Sequence, residues 1–186
     1  RWAAWWRSRR GRRLYDDAMK ERPGADVEAW YAALESRHLA SLTFPEVRRA
    51  LQALSSLYVL RRDRLARGAA LEGAGKRAAF ALFYGPLHFL IVREIVSALH
   101  AADPPMLRVV DLGCGTGAAG AAWALEAGKR ATVSGIDASG WAVGEAAWNL
   151  RTLGLTATVR RGDLVEAVLG SAGEGIVAAY AVNELD

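Results

Sequence analysis

Three acids and three glycines carry most of the chemistry legible in this chain. Asp111 lies inside a short apolar run, Val109 to Leu112. Gly113, Gly115 and Gly117 follow at alternate positions, and an alanine-rich stretch follows them. Asp137 and Asp163 come just after two later apolar runs. A glycine turn between a strand and a helix lets the backbone approach a ligand, because a Cβ there would block the ligand or forbid a positive φ. Gly115-x-Gly117-x-x-Gly120 matches the dinucleotide fingerprint formally, with Asp137 about 20 residues further on. Asp111 argues against that ligand. In a dinucleotide site the strand end faces a pyrophosphate, which a carboxylate there would repel. Gly113 also makes the turn wider than that motif needs. Cys114 sits in the same turn, but a catalytic thiol needs a base and a substrate channel, and the sequence offers neither.

The elements that position these residues alternate. Strands are expected over Leu107–Leu112, Ala131–Ile136, Thr156–Arg160 and Ile176–Val182. Helices are expected over Gly117–Ala127 and Ser139–Leu153, with a short one over Asp163–Leu169. Strands alternating with helices imply right-handed crossovers and a parallel sheet. The expected fold is therefore α/β, a Rossmann-like parallel sheet truncated after its fourth strand, preceded by an α-helical module. The division is residues 1–100 for the helical module and 101–186 for the first half of the sheet domain. In the module, Asp26–Leu39 reads as a helix with Val27, Trp30, Tyr31 and Leu34 on one face. Thr43-Phe-Pro-Glu46 reads as a capping box opening a helix to about Ala66, with Val47, Leu51, Leu54, Tyr58 and Leu65 on one stripe. Gly68–Gly75 reads as a connector. Gly85-Pro86 is expected to break one helix, ending at Tyr84, and start another, Leu87–Leu99. Trp141 and Trp148, seven apart, are both expected to face the sheet.

Composition bounds the class. The chain has 186 residues, 52% hydrophobic and 24% charged, which is enough for a globular core. A single cysteine excludes an internal disulfide framework and a cysteine-based metal cluster within this stretch, so no metal site is expected. One cysteine also fits a reducing, cytoplasmic setting. No uninterrupted apolar run reaches the length of a membrane span, and no membrane partner is expected. Residues 1–77 hold 17 Lys/Arg against 9 Asp/Glu, and residues 78–186 hold 7 against 11, so the front is basic and the back mildly acidic. Residues 1–13 contain six arginines and three tryptophans. Guanidinium binds phosphate and indole stacks on bases, so this stretch is a candidate contact for RNA or a ribosomal subunit, against the plainer reading of a solvated helix. The chain starts at Arg1 and stops just after a strand-like run, and reads as a piece cut at both ends.

The run Val109-Val-Asp-Leu-Gly-Cys-Gly-Thr-Gly117 resembles motif I of the class I S-adenosylmethionine-dependent methyltransferases, and the resemblance covers about Leu107 to Val182. It implies that Asp111 and the glycines Gly113, Gly115 and Gly117 hold the methionine half of S-adenosyl-L-methionine. That half carries an ammonium, and the sulfonium beside it is positive, so a carboxylate is favourable. It implies that Asp137 accepts both ribose hydroxyls, a task suited to a carboxylate. Ala138 and Ser139 would contact adenine, and Asp163 would lie near the adenine amino group or cap a helix. A helix before the first strand often lids the cofactor in this fold, which nominates Tyr84 and His88. Trp141 would border the adenine.

After the fourth strand the chain reads Ala179-Tyr-Ala-Val-Asn-Glu-Leu185. It lacks the Asn/Asp-Pro-Pro-Tyr tetrapeptide common in methyltransferases acting on amide or exocyclic amine nitrogen. Tyr180 and Asn183 are the candidate substrate-side residues, Asn183 doubling as a possible helix cap. The Tyr-x-x-Asn-Glu-Leu form resembles the methyltransferase-like family associated with the mitochondrial small ribosomal subunit and its bacterial relatives. The reading is thus a methyltransferase of unknown acceptor. Its competitors are a non-catalytic or weakly catalytic ribosome-assembly or RNA-binding factor on the same fold, and a nicotinamide-dependent oxidoreductase.

Overall fold

The computed structural model describes residues 25–60, 71–102, 106–128, 131–167, 169 and 173–181. The Arg/Trp-rich stretch 1–13 and Asn183 lie outside these residues. Helix α1 is Ala25–His38 and α2 is Phe44–Leu60. A helical rod follows, made of α3 (Ala74–Ala79), a wide turn (Phe80–Tyr84) and α4 (Gly85–Ala98). The α/β part runs β1 (Arg108–Leu112), α5 (Ala118–Glu126), β2 (Thr132–Asp137), α6 (Gly140–Thr152), β3 (Ala157–Arg161), a single 3₁₀ turn (Leu164–Glu166) and β4 (Glu174–Val177).

The four strands form one parallel sheet in the order β3-β2-β1-β4. The expected Rossmann-like architecture is what the chain adopts. From β1 through β2 to β3 the chain steps one way across the sheet, and from β3 it crosses back to lay β4 on the other side of β1. In open parallel sheets a ligand binds outside the carboxyl ends of the strands at such a reversal. Here that place lies between the turn after β1 and the exit of β4. At the opposite end of the sheet, Arg108 pairs with Glu174 of β4 at 2.9 Å and donates to Ser134 Oγ of β2 at 3.2 Å, fixing both neighbours to β1.

The alanines of α5 explain how its layers close up. Ala119, Ala121, Ala122 and Ala124 are all buried, and α5 packs against α4 as well as against β1 and β2. Short side chains on several faces let it approach both neighbours. Gly120 takes this further: a Cβ there would lie 2.8 Å from Val133 and 2.9 Å from the Asp111 carboxylate. In α6 the buried apolar positions are Ala142, Ala146 and Leu150, and Leu150 joins the same cluster as the α5 alanines.

Three expectations about elements are corrected. Gly85-Pro86 does not break the helix. The rod runs unbroken over Ala74–Ala98, 25 residues, long and apolar enough to cross a membrane by length and composition alone. Proline in a regular helix clashes with the carbonyl four residues back. Here the Gly85 amide bonds to the Phe80 carbonyl, five back, and the widened turn admits Pro86 without ending the helix. The face bearing Phe89, Val92 and Val96 is buried in the core with Val109 and the α5 alanines. The second correction concerns β4. It starts earlier than expected and ends at Val177, so Tyr180 lies on the exit loop and not in a strand. The helix expected over Asp163–Leu169 is likewise reduced to one 3₁₀ turn.

Helix α1 shares the core of the sheet domain. Trp30 and Leu34 are buried in one cluster with Phe89, Val109, Val133 and Leu150. Val47, Ala78 and Ala79 form a smaller cluster where α2 meets the rod. The capping box at α2 is half formed: Glu46 accepts from both the Thr43 amide and the Thr43 hydroxyl, each at 2.7 Å, so the hydroxyl donates to Glu46 and does not cap its amide.

Because α1 is built into the same core, Leu34→Ala should lower the stability of the whole domain by about 2–5 kcal/mol. Chemical denaturation should show one shifted transition by both tryptophan fluorescence and far-ultraviolet circular dichroism. An unshifted midpoint would mean that α1 is an appendage.

Candidate functional site

The turn after β1 is built from backbone that only glycine adopts readily. Gly113, Gly115 and Gly117 have φ of 65°, 52° and 77°. Each lies in a different setting. A Cβ on Gly113 would run into Ala181 on the exit of β4, and one on Gly117 would meet Ala146 of α6 at 3.1 Å. One on Gly115 would meet nothing within 4 Å. Gly115 is therefore the point where the turn faces open space, and its neighbours pack.

Hydrogen bonds from surrounding elements hold this backbone. The Cys114 amide donates to the Ile136 carbonyl of β2 at 3.0 Å, and the Gly117 amide to the Cys114 carbonyl at 2.7 Å. The Gly115 amide donates to Asp137 Oδ2 at 2.8 Å. Asp137 is the last residue of β2, and its other oxygen accepts from the Ser139 amide at 2.8 Å. Each oxygen of a carboxylate can accept more than one donor, so Asp137 retains acceptor capacity beside the turn. Ser139 caps α6, its hydroxyl accepting from the Ala142 amide at 3.3 Å. The Ala138 carbonyl accepts from Arg161 Nε at 2.9 Å.

Asp111 is fully buried, and Oδ2 accepts from the Gly120 amide at 2.8 Å in the first turn of α5. Burial pushes its carboxyl up from 3.8 to about 7, opposed by the Gly120 hydrogen bond and reinforced by the nearby Asp137 charge. Burial raises the Cys114 thiol far above its ordinary value, and the two aspartates push it the same way, so it is not a reactive thiolate.

An aromatic wall stands beside the turn. Gly85 of the rod sits where a Cβ would lie 3.2 Å from Thr116 Oγ1, which places the wide turn of the rod against the glycine turn. His88 stacks on Tyr180 with ring centroids 3.8 Å apart and planes 14° from parallel. Phe80 meets His88 edge-on, and Tyr84 packs between 5 and 6 Å from Phe80, Phe83 and His88. Burial lowers the His88 pKa to about 4, so the imidazole is neutral at pH 7. Tyr180 has φ 65°, an uncommon backbone for a bulky residue, and its phenol pKa is raised by burial.

The expected site residues thus fall into two groups. Asp111, Gly113, Gly115, Gly117, Asp137, Ala138 and Ser139 adjoin one another around the turn. Asp163 accepts from the Val165 amide at 3.1 Å and caps the 3₁₀ turn whose Leu164 side chain reaches toward Gly113. Trp141 and Trp148 do not both face the sheet. Trp141 meets Phe80 edge-on with Arg77 over its ring, and Trp148 carries the Arg37 guanidinium 4.8 Å from its centroid. The small residues Ala142 and Ala146 are buried in their place.

Sequence reasoning missed Asn149 and Glu145. Both are buried on α6, one turn apart. Asn149 Nδ2 donates to the Thr116 carbonyl at 2.9 Å, and its Oδ1 accepts from the Trp30 indole at 2.7 Å. Glu145 contacts His38 Nε2 at 2.7 Å and Arg37 at 3.5 Å. The signal was available in Glu145-Ala146-x-x-Asn149-Leu150, where polar residues alternate with apolar ones on the buried side of a helix.

Among known families, residues 93–178 match the one described as MTS, the methyltransferase small domain. No curated protein matches the chain.

The raised Asp111 value gives a pH test. Between about pH 4 and 7 the folded state holds a proton that the unfolded state has released. That contribution to stability is complete below pH 3.8 and is lost as pH rises through about 7. Asp111→Asn keeps the acceptor for Gly120 and removes the titration. Melting temperature should therefore fall less steeply from pH 4 to 8 in the variant than in the wild type. Parallel profiles would show that Asp111 ionises normally.

Proposed function

We propose that this chain, which carries a methyltransferase small domain of the class I kind over residues 93–178, binds S-adenosylmethionine across its glycine turn and transfers the methyl group to an acceptor. The observation that carries this reading is Asp137. It ends β2, grips the Gly115 amide and faces the one glycine of the turn with open space beside it. A vicinal diol is a natural partner for such a carboxylate, which can accept a further hydrogen bond on each oxygen.

The chemistry of the surrounding residues fits the cofactor. It supplies a methyl group on a cationic sulfur, beside an ammonium, with no phosphate. Asp137 gives the turn an acidic character that suits those positive groups and opposes a pyrophosphate, and a nearby cation would draw the buried Asp111 carboxyl, raised to about 7, into its ionised form. Gly113, Gly115 and Gly117 let the ligand approach the backbone, and Ala138 and Ser139 border the adenine on this reading. Asp163 stands at the end of β3 on the same side. His88 is neutral at pH 7, so its stack with Tyr180 presents an uncharged aromatic face that a cation can approach.

Catalysis in this reading is alignment and exclusion of water. Held by Asp137 and the glycine turn, the cofactor would supply an activated methyl group to the acceptor's lone pair, its sulfur becoming a neutral thioether. Neither His88, with its pKa near 4, nor Tyr180, with its pKa raised, is suited to take a proton from a hydroxyl acceptor at pH 7. The arrangement favours an acceptor that attacks with a free lone pair and gives its proton to water afterwards. Tyr180 is the substrate-side residue of this proposal.

Asp137→Ala should weaken S-adenosylmethionine binding by about 1–3 kcal/mol, roughly fivefold to 150-fold, through loss of the ribose acceptor. Titration calorimetry measures it directly. Unchanged affinity would sink the ribose assignment.

A further inference from the structure

We infer that Asn149 and Trp30 are positioning residues for the cofactor turn, so that helix α1, which lies outside the matched family region, is a working part of the site. The inference rests on the S-adenosylmethionine reading for its consequence, and on the geometry alone for its mechanism.

Thr116 is the residue between Gly115 and Gly117, both of positive φ. A peptide flanked by such freedom can rotate unless its carbonyl is held. The Thr116 carbonyl is buried, and Asn149 Nδ2 donates to it at 2.9 Å. An unpaired buried carbonyl is costly, which locks the peptide in the observed orientation. The orientation of Thr116–Gly117 is in turn coupled to the Gly117 amide, bound to Cys114, and to the Gly115 amide, bound to Asp137.

Asn149 can hold that carbonyl only with its amide the right way round. The Trp30 indole sets this. Its N–H donates at 2.7 Å, and an indole N–H is a donor only, so it must face the Asn149 oxygen and leave the NH₂ facing Thr116. Trp30 is itself fixed by burial and by Phe89, 5.3 Å away between ring centroids. The line Trp30, Asn149, Thr116 therefore transmits the placement of α1 to the glycine turn. Arg37 and His38, on the same helix, dock onto Glu145 one turn away and provide a comparison, because they hold α1 without touching the turn.

The test uses three variants. Asn149→Asp keeps the acceptor for Trp30, removes the donor to Thr116 and sets an anion against its carbonyl. Trp30→Phe removes the orienting indole N–H and keeps an aromatic ring. Arg37→Ala loosens α1 and leaves the relay intact. Amide hydrogen exchange at Gly115 and Gly117 in the cofactor-free protein should rise at least tenfold in Asn149→Asp, and by less in Trp30→Phe. It should stay at the wild-type level in Arg37→Ala, even with a lowered melting temperature. S-adenosylmethionine affinity should fall in the same order, at least fivefold in Asn149→Asp. If Asn149→Asp fails to fold, Trp30→Phe decides alone by the same exchange readout. Unchanged exchange in the relay variants overturns the inference, as does an equal rise in Arg37→Ala. If exchange responds as expected but the wild type does not bind S-adenosylmethionine, the positioning role stands and the cofactor reading falls.

Discussion

Three backbone positions of positive φ within five residues form a conformation that has to be held from outside. Everything else in the described structure can be ordered by how it does so. β2 supplies two restraints, the Ile136 carbonyl and the Asp137 carboxylate. β1 supplies Asp111, which reaches past the turn to the Gly120 amide and fixes where α5 begins. α6 supplies Asn149. The rod and the exit of β4 close in with Gly85 and Ala181, leaving Gly115 as the face turned to open space. The sheet order places this assembly where the chain reverses direction, which is where a parallel sheet leaves room for a ligand.

Asp111 shows how one residue can have two readings that do not conflict. In sequence it is an acid next to a glycine turn, which suits a cationic ligand. In the structure its first partner is internal, the Gly120 amide, and burial brings its proton affinity close to neutrality. A cation arriving nearby would favour its ionised form. The carboxyl group that anchors α5 is thus also the one that a nearby cation would ionise.

Much of this was legible in the residues. Alternation of apolar runs with helical stretches gave the parallel sheet, and the glycine spacing gave the turn. Ser139 and Asp163 were readable as caps because an oxygen-bearing side chain before a helical run has a local job. What was not legible depends on contacts distant in sequence. Trp30 reaches Asn149 across 119 residues, and no local pattern states that. Pro86 does lie in the first turn of α4 as expected, but the break before it was misread for a related reason: a proline normally ends or bends a helix, and one extra residue in the preceding turn removes the clash. The length of β4 was misread because Ala178 to Ala181 are apolar enough to continue a strand, yet Tyr180 takes a positive φ and turns the chain. Trp141 and Trp148 were assigned to the sheet on spacing and size, whereas the buried apolar positions of α6 are Ala142, Ala146 and Leu150.

The proposed function requires the glycine turn to hold S-adenosylmethionine and not a dinucleotide. Melting temperature with each ligand tests it most directly. At a concentration about 100 times its dissociation constant, a ligand that binds only the folded chain stabilises it by about 2.7 kcal/mol, a shift of several degrees. Such a rise is expected with S-adenosylmethionine, and none with NADH at the same concentration. A rise with NADH and none with S-adenosylmethionine would contradict it.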